Sequence, residues 1–149
     1  MILMTYTIIF NQENLEKFYE HYFKQFPLRS KRLIESPIVP SLNRWLALSP
    51  KARQPIKKCW VEYVRFILDK EGLQSVNLTA CKVHIHFVFG SRRLSDLDNV
   101  TPKLLNDALT RCNFWIDDNY TVVQEVRLTA SYERKNPQMI VTVYDISEK

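Results

Sequence analysis

At 149 residues, with 46% apolar and 12% aromatic side chains, the chain has enough hydrophobic content for one packed core, and its 2 glycines and 25% charged residues exclude a disordered or linker-like polymer. A formal net charge of +5 and a pI near 9.2 favour polyanionic partners, nucleic acid or anionic lipid. No apolar run reaches the roughly 18 residues a membrane helix needs, Met1 to Phe10 lacks a secretory basic region, and the three cysteines (Cys59, Cys81, Cys112) lack zinc spacing, which predicts buried thiols in a reducing, cytoplasmic setting with no membrane.

In chain order, Tyr6 to Phe10 forms a short β-prone run. Leu15, Phe18, Tyr19, Tyr22, Phe23 and Phe26 then recur at helical spacing, and Pro27 ends that amphipathic helix. Such a stripe normally packs on its own core, although a partner-binding face has the same pattern. The stretch to Ser49 holds Pro37 and Pro40 and should be extended or looped, with a strand over Leu33 to Val39. Ser49-Pro50 reads as a helix start, a hydroxyl cap followed by a proline where no backbone donor is lost. Ile56, Trp60, Tyr63, Val64, Ile67 and Leu68 form its apolar face and Gly72 fits its far end.

Cys81 to Phe89 alternates, with Val83, Ile85, Phe87 and Phe89 on one face and His84, His86 and Val88 on the other, so it predicts a strand. A basic turn, Gly90 to Arg93, ends it. Thr101-Pro102 starts another helix, whose buried stripe is Leu104, Leu105, Ala108, Leu109 and Cys112. Thr121 to Tyr132 and Met139 to Tyr144, separated by the polar Glu133 to Pro137, read as a closing hairpin. The expected fold is α/β in the broad sense (α+β): a single domain with a mixed β-sheet and two to three helices packed on it.

The chemistry-bearing feature is acidic. Asp96 and Asp98 lie two apart beyond a strand end, so an extended backbone projects both carboxylates to one side. Asp117 and Asp118 form a second acidic point. The intervening helix carries the chain about 16 Å away at 1.5 Å per residue, and residues Asn113 to Asp118 at about 3.3 Å each are long enough to return, so three or four carboxylates can meet. Hard oxygen ligands of this kind suit Mg²⁺, or Mn²⁺, which in phosphodiester cleavage binds phosphate, activates water and offsets leaving-group charge. Arg92, Arg93 and Lys103 would supply compensating phosphate contacts. The plainer alternative is that Asp98, Asn99 and Thr101 cap a helix and Asp117-Asp118-Asn119 is an ordinary polar turn.

The order of motifs argues for the catalytic alternative. The stretch RRLSDLDNVTPKLLNDALTRCNFWIDDNYTVVQ, Arg92 to Gln124, resembles the central motif of RusA-type Holliday junction resolvases: a basic run, D-x-D-N, a lysine, D-A-L, then an aromatic and D-D before a strand. VPSLNRWLALSPKAR, Val39 to Arg53, is similar to the family's P-S-x-N segment and following helix. Together these cover most of the chain from Val39 onward.

The resemblance implies a Mg²⁺-dependent endodeoxyribonuclease that resolves four-way DNA junctions by paired symmetric nicks in recombination and repair, acts as a homodimer, and is often of phage or prophage origin. It implies Asp96, Asp98 and Asp118 as metal-binding and catalytic carboxylates, Lys103 as the catalytic or phosphate-binding lysine, and Asp117 as a neighbour. Lys103 follows Asp98 by five residues, where the family's lysine commonly follows by four. On this reading residues 33–149 are the RusA-like endonuclease domain, and residues 1–32 are a strand-helix addition with no counterpart in the family. The alternative function is a non-catalytic basic DNA-binding protein that uses its aspartates structurally; a small-molecule metalloenzyme is disfavoured by the basic excess and the lack of a Gly-rich phosphate loop.

Asn43, Arg44 and Trp45 in the proline-flanked loop are further candidates for DNA contact. Phe114 and Trp115 can stack on bases but are better placed to anchor the loop before Asp117. Asp107, four residues after Lys103, can pair with that lysine and sit near the metal, but reads first as a solvated helix charge. His84 and His86 share a strand face without a third imidazole or thiol at matching spacing, and read as half-buried histidines rather than metal ligands.

Overall fold

Strand β1 (Met4–Asn11) passes directly into helix α1 (Gln12–Gln25), because Asn11 stays extended while its side-chain oxygen accepts the Asn14 N–H at 2.8 Å. That bond satisfies one donor that every helix start leaves unpaired. The computed structural model describes residues 1–92 and 96–148. A short helix α2 (Leu42–Leu46) precedes α3 (Pro50–Lys70), which begins as the sequence predicts: Ser49 Oγ accepts from the Ala52 N–H and Pro50 takes the first turn. Strand β2 (Cys81–Phe89), helix α4 (Pro102–Arg111), strand β3 (Val123–Tyr132) and strand β4 (Gln138–Asp145) complete the order.

The four strands form one mixed sheet, ordered β1-β4-β2-β3. β4 runs antiparallel to both β1 and β2, and β3 lies parallel to β2. Parallel neighbours need a crossover, and α4 supplies it, making β2-α4-β3 a βαβ unit. The period-2 pattern puts Ile8, Phe10, Val83, Ile85, Phe87, Met139, Val141 and Val143 on one face, all essentially inaccessible, where they share a core with α1, α3 and α4. The opposite face carries His84, His86 and Thr142 and has no helix packed on it among the described residues. The α+β expectation therefore holds. The sheet and core also run through residues 1–32: β1 pairs with β4 along its length, and Leu15, Phe18 and Tyr19 of α1 are buried against the same core.

Two expectations are corrected. Residues 33–39 are not a strand; Ile34 is buried, but its backbone N–H and C=O are both bonded, at 2.7 Å, by the Tyr19 hydroxyl rather than by a neighbouring strand. With both groups satisfied by one side chain and prolines at 37 and 40, that segment gains nothing from a ladder. Nor do β3 and β4 form a hairpin. β4 inserts between β1 and β2 while β3 takes the outer edge beside β2, and the 133–137 loop crosses the end of β2 through Glu133 N–H to Phe89 O and Lys135 N–H to Gly90 O. The crossing is tight: a Cβ on Gly90 would stand 2.9 Å from Pro137 Cδ. β4, with Met139, Val141 and Val143 buried, takes the interior position, and β3, with mostly exposed side chains, takes the edge.

Candidate functional site

Helix α4 divides its residues by side. Leu104, Leu105, Ala108 and Leu109 face the core, while Lys103, Asn106 and Asp107 face a cleft of 340 Å³. The other wall is the Asp118 turn, with Tyr120, and the helix-side residues Val123 and Val126 of β3. The turn is held from below. Phe114 and Trp115 are fully buried, as the sequence suggests, and Trp115 Nε1 donates to Thr110 Oγ1 at 2.6 Å. Asn113, with φ of 58°, reverses the chain after α4.

The carboxylates at and beside this cleft have different roles. Asp117 organises its own turn, accepting from the Asp118 N–H at 2.7 Å and from Asn119 Nδ2 at 2.9 Å, and these bonds hold its carboxyl below the usual range. Asp118 is pushed the other way: partial desolvation, and after it the neighbouring Asp117 and Asp107 carboxyls, raise it above the usual range. Asp107 in turn meets Lys103, with Nζ at 3.3 Å from its Oδ2. The polar-turn reading thus describes Asp117 and leaves Asp118 without a structural partner of opposite charge among the described residues.

Asp96 and Asp98 are exposed, Asp96 at the start of and Asp98 within a 3₁₀ turn (Leu97–Asn99) that packs against β3. Among the described residues neither carboxylate makes a hydrogen bond or ion pair, and Thr101, at the cap position of α4, makes no side-chain cap bond. The helix-capping reading of Asp98 and Thr101 is therefore not realised. The two sequence motifs do meet here. Asn99 Oδ1 accepts the Asn43 N–H at 3.3 Å, and Ser41 pairs with Val100 in an isolated antiparallel bridge. Asn43 and Arg44 are exposed on this side, whereas Trp45 is half-buried, with the Arg53 guanidinium 5.7 Å from its ring. Arg92 is exposed, 5.7 Å from the centre of the Tyr132 ring. Arg93 lies outside the described residues.

The structure brings Lys103, Asp107 and Asp118 together. It does not gather Asp96 and Asp98 with them about one point: among the described residues no group of three or more His, Cys, Asp or Glu side chains is arranged to hold a metal ion. The donors facing the cleft are nonetheless all oxygen, and Asn106 Oδ1, buried in its wall, has no hydrogen-bond partner among the described residues. Two carboxylates and an orphaned amide oxygen fit a hard divalent cation in chemistry. Sequence reasoning left Asp107 as a solvated charge and passed over Asn106. The available signal was helical spacing: Lys103, Asn106 and Asp107 stand three and four residues apart, off the apolar stripe.

The remaining polar features are structural. His84 Nε2 and His86 Nδ1 lie 2.6 and 2.7 Å from Thr129 Oγ1, and His86 Nε2 lies 2.9 Å from Ser131 Oγ, so both imidazoles are engaged across β2 and β3. Burial, then Arg127 and His86, lowers the basicity of His84. Cys59, Cys81 and Cys112 are buried and free, and burial pushes their thiols up to about 11, 12 and 11. No helix among the described residues is long and apolar enough to cross a membrane. Fold and site together define a small α+β protein whose βαβ unit carries an acidic cleft with a lysine at its rim. No family model and no curated protein sequence matches the chain.

Proposed function

We propose that this chain is a RusA-type, Mg²⁺-dependent endodeoxyribonuclease that nicks four-way DNA junctions as a homodimer. The observation that carries the reading is the cleft in which Asp118 and Asp107 confront each other beside Lys103; the turn bearing Asp96 and Asp98 comes just before the helix that lines it. Carboxylates pushed together, with Lys103 paired to Asp107 and not to Asp118, are costly to keep, and their arrangement makes sense as a cation site. Asp118 and Asp107 would hold the ion with Asn106, and Asp96 and Asp98 are the further ligands that the motif resemblance implies. When bound, Mg²⁺ (or Mn²⁺) would supply charge neutralisation at the phosphate and a more acidic water.

The chain's own side chains do the rest. Lys103, held by Asp107 at the rim, pairs with a phosphate oxygen; Arg92, Arg93, Asn43 and Arg44 contact the backbone and keep the scissile strand in register. Two symmetric cuts require two such sites, which an isologous dimer provides.

A second reading, a non-catalytic basic DNA-binding protein, is favoured by one specific observation: the absence, among the described residues, of a three-carboxylate group. Incubation of the purified protein with a synthetic four-way junction and a linear duplex, each with Mg²⁺ and with EDTA, separates the two. The nuclease reading expects paired Mg²⁺-dependent nicks on the junction, and Asp96→Asn, Asp98→Asn or Asp118→Asn to bind without cutting. Junction binding without nicking by the unaltered protein selects the second reading, and near-normal cutting by any two of the three variants removes the assigned site.

A further inference from the structure

A groove larger than the acidic cleft lies elsewhere on the surface. It is an open trough of 1080 Å³ between the end of α1 with the segment after it and the outer face of α3. Its charged lining consists of Arg29, Lys31, Lys58, Arg65 and Arg111 against a single carboxylate, Glu62, which is bonded to Arg65 at 2.9 Å. Lys31, Lys58 and Arg111 make no ion pair among the described residues, and all three are exposed. Arg29 is fixed in place, its guanidinium 4.4 Å from the centre of the Phe26 ring and donating to the Tyr22 hydroxyl. Keeping this many like charges along one trough costs self-repulsion, which a polyanion would reverse.

We propose that this α1–α3 groove binds the phosphate backbone of a nucleic-acid strand. Lys58 and Arg65 lie seven residues apart on α3, two turns or about 10.5 Å, which spans about three nucleotide steps at about 3.4 Å of axial rise per strand. Arg111, at the far end of α4, extends the charged line toward the acidic cleft; Lys103 in the first turn of the same helix is about 12 Å away along the axis. One duplex arm can therefore reach from cleft to groove. Because Tyr22, Phe26, Arg29 and Lys31 form one wall, residues 1–32 acquire a role: they build half of a second contact surface. The contact is to backbone, since the rings present are occupied by Arg29 or buried, leaving none to stack on a base. The identity of the polyanion as DNA rests on the function proposed above; the electrostatic argument for the groove does not.

The test is the affinity of the full chain for a labelled four-way junction and for a single strand, in EDTA, across a salt series. The double variant Lys58→Ala/Arg111→Ala should lower the slope of log affinity against log salt by about two on duplex arms, which corresponds to a loss of tens of fold at 0.1 M salt. Lys58→Arg/Arg111→Lys should restore both. The substituted side chains are exposed, so the thermal midpoint should hold within about 2 °C. Unchanged affinity and slope would overturn the inference, as would a loss that the charge-conserving variant fails to restore, or tight capture of a neutral peptide by the groove without competition from DNA. Nicking is read separately. A chain that binds through the groove and cuts nothing keeps this inference and loses the nuclease reading; a chain that cuts, with affinity indifferent to the groove, does the reverse.

Discussion

Replacing Asp118 with asparagine should stabilise the metal-free protein, as expected where like charges are held close without serving the fold. Asp118 faces Asp107 and adjoins Asp117, and its carboxyl is raised above the ordinary 3.8. A carboxyl raised in the folded state binds more protons folded than unfolded, so it lowers stability as pH rises through that elevated value. The penalty is complete at neutral pH and is relieved as pH falls back toward 3.8. The groups are largely exposed, so screening holds the repulsion to about 0.3–1 kcal/mol. For a chain of this length about 1 kcal/mol moves Tm by 2–4 °C; Asp118→Asn should therefore raise the metal-free Tm by roughly 1–3 °C at pH 7.5, with the gain vanishing in acid. On the cation-site reading proposed above, divalent cation should reverse the order. At 100 times its Kd a ligand stabilises by about 2.7 kcal/mol, or roughly 5–11 °C for the unaltered protein, and Asp118→Asn should lose most of that rise. Scanning calorimetry with EDTA, Mg²⁺ or Mn²⁺ at matched ionic strength reads all of this. A fall in Tm for metal-free Asp118→Asn, or an undiminished Mg²⁺ response, would refute the reasoning.

Trp115→Ala removes a fully buried indole and its bond to Thr110, and should cost about 3–5 kcal/mol in a urea melt; an unchanged midpoint would mean that the acidic turn is anchored elsewhere. Gly90→Ala places a methyl 2.9 Å from Pro137 Cδ and should cost about 1–3 kcal/mol by the same measurement, whereas full tolerance would contradict the loop crossing at the end of β2. Arg92→Ala should weaken junction binding irrespective of sequence and lower the salt slope by about one; a sequence-dependent loss would instead assign Arg92 to base contact.

Local chemistry was sufficient for much of this protein. Ser49-Pro50 and Thr101-Pro102 mark helix starts because a proline at the first turn loses no hydrogen bond, and β2 is legible residue by residue because alternation has a period of two. The burial of Phe114 and Trp115 was likewise within reach of short-range reasoning, which also read Asp117-Asp118-Asn119 as a polar turn without separating the roles of its two carboxylates. What pairs with what was not. Alternation says which side of a strand is buried but not which strand lies next to it, so β3 and β4, adjacent in sequence, read as a hairpin although β4 lies between β1 and β2. The extended appearance of residues 33–39 was likewise undone by one distant hydroxyl, Tyr19, that satisfies the Ile34 backbone. The same limit governs the site. Asp107 and Asn106 look like ordinary helix-surface residues in the sequence, and become walls of an acidic cleft only because the crossover lays α4 beside the returning Asp118 turn. Spacing along a chain constrains what can meet; sheet order, set by which apolar faces bury together, decides what does.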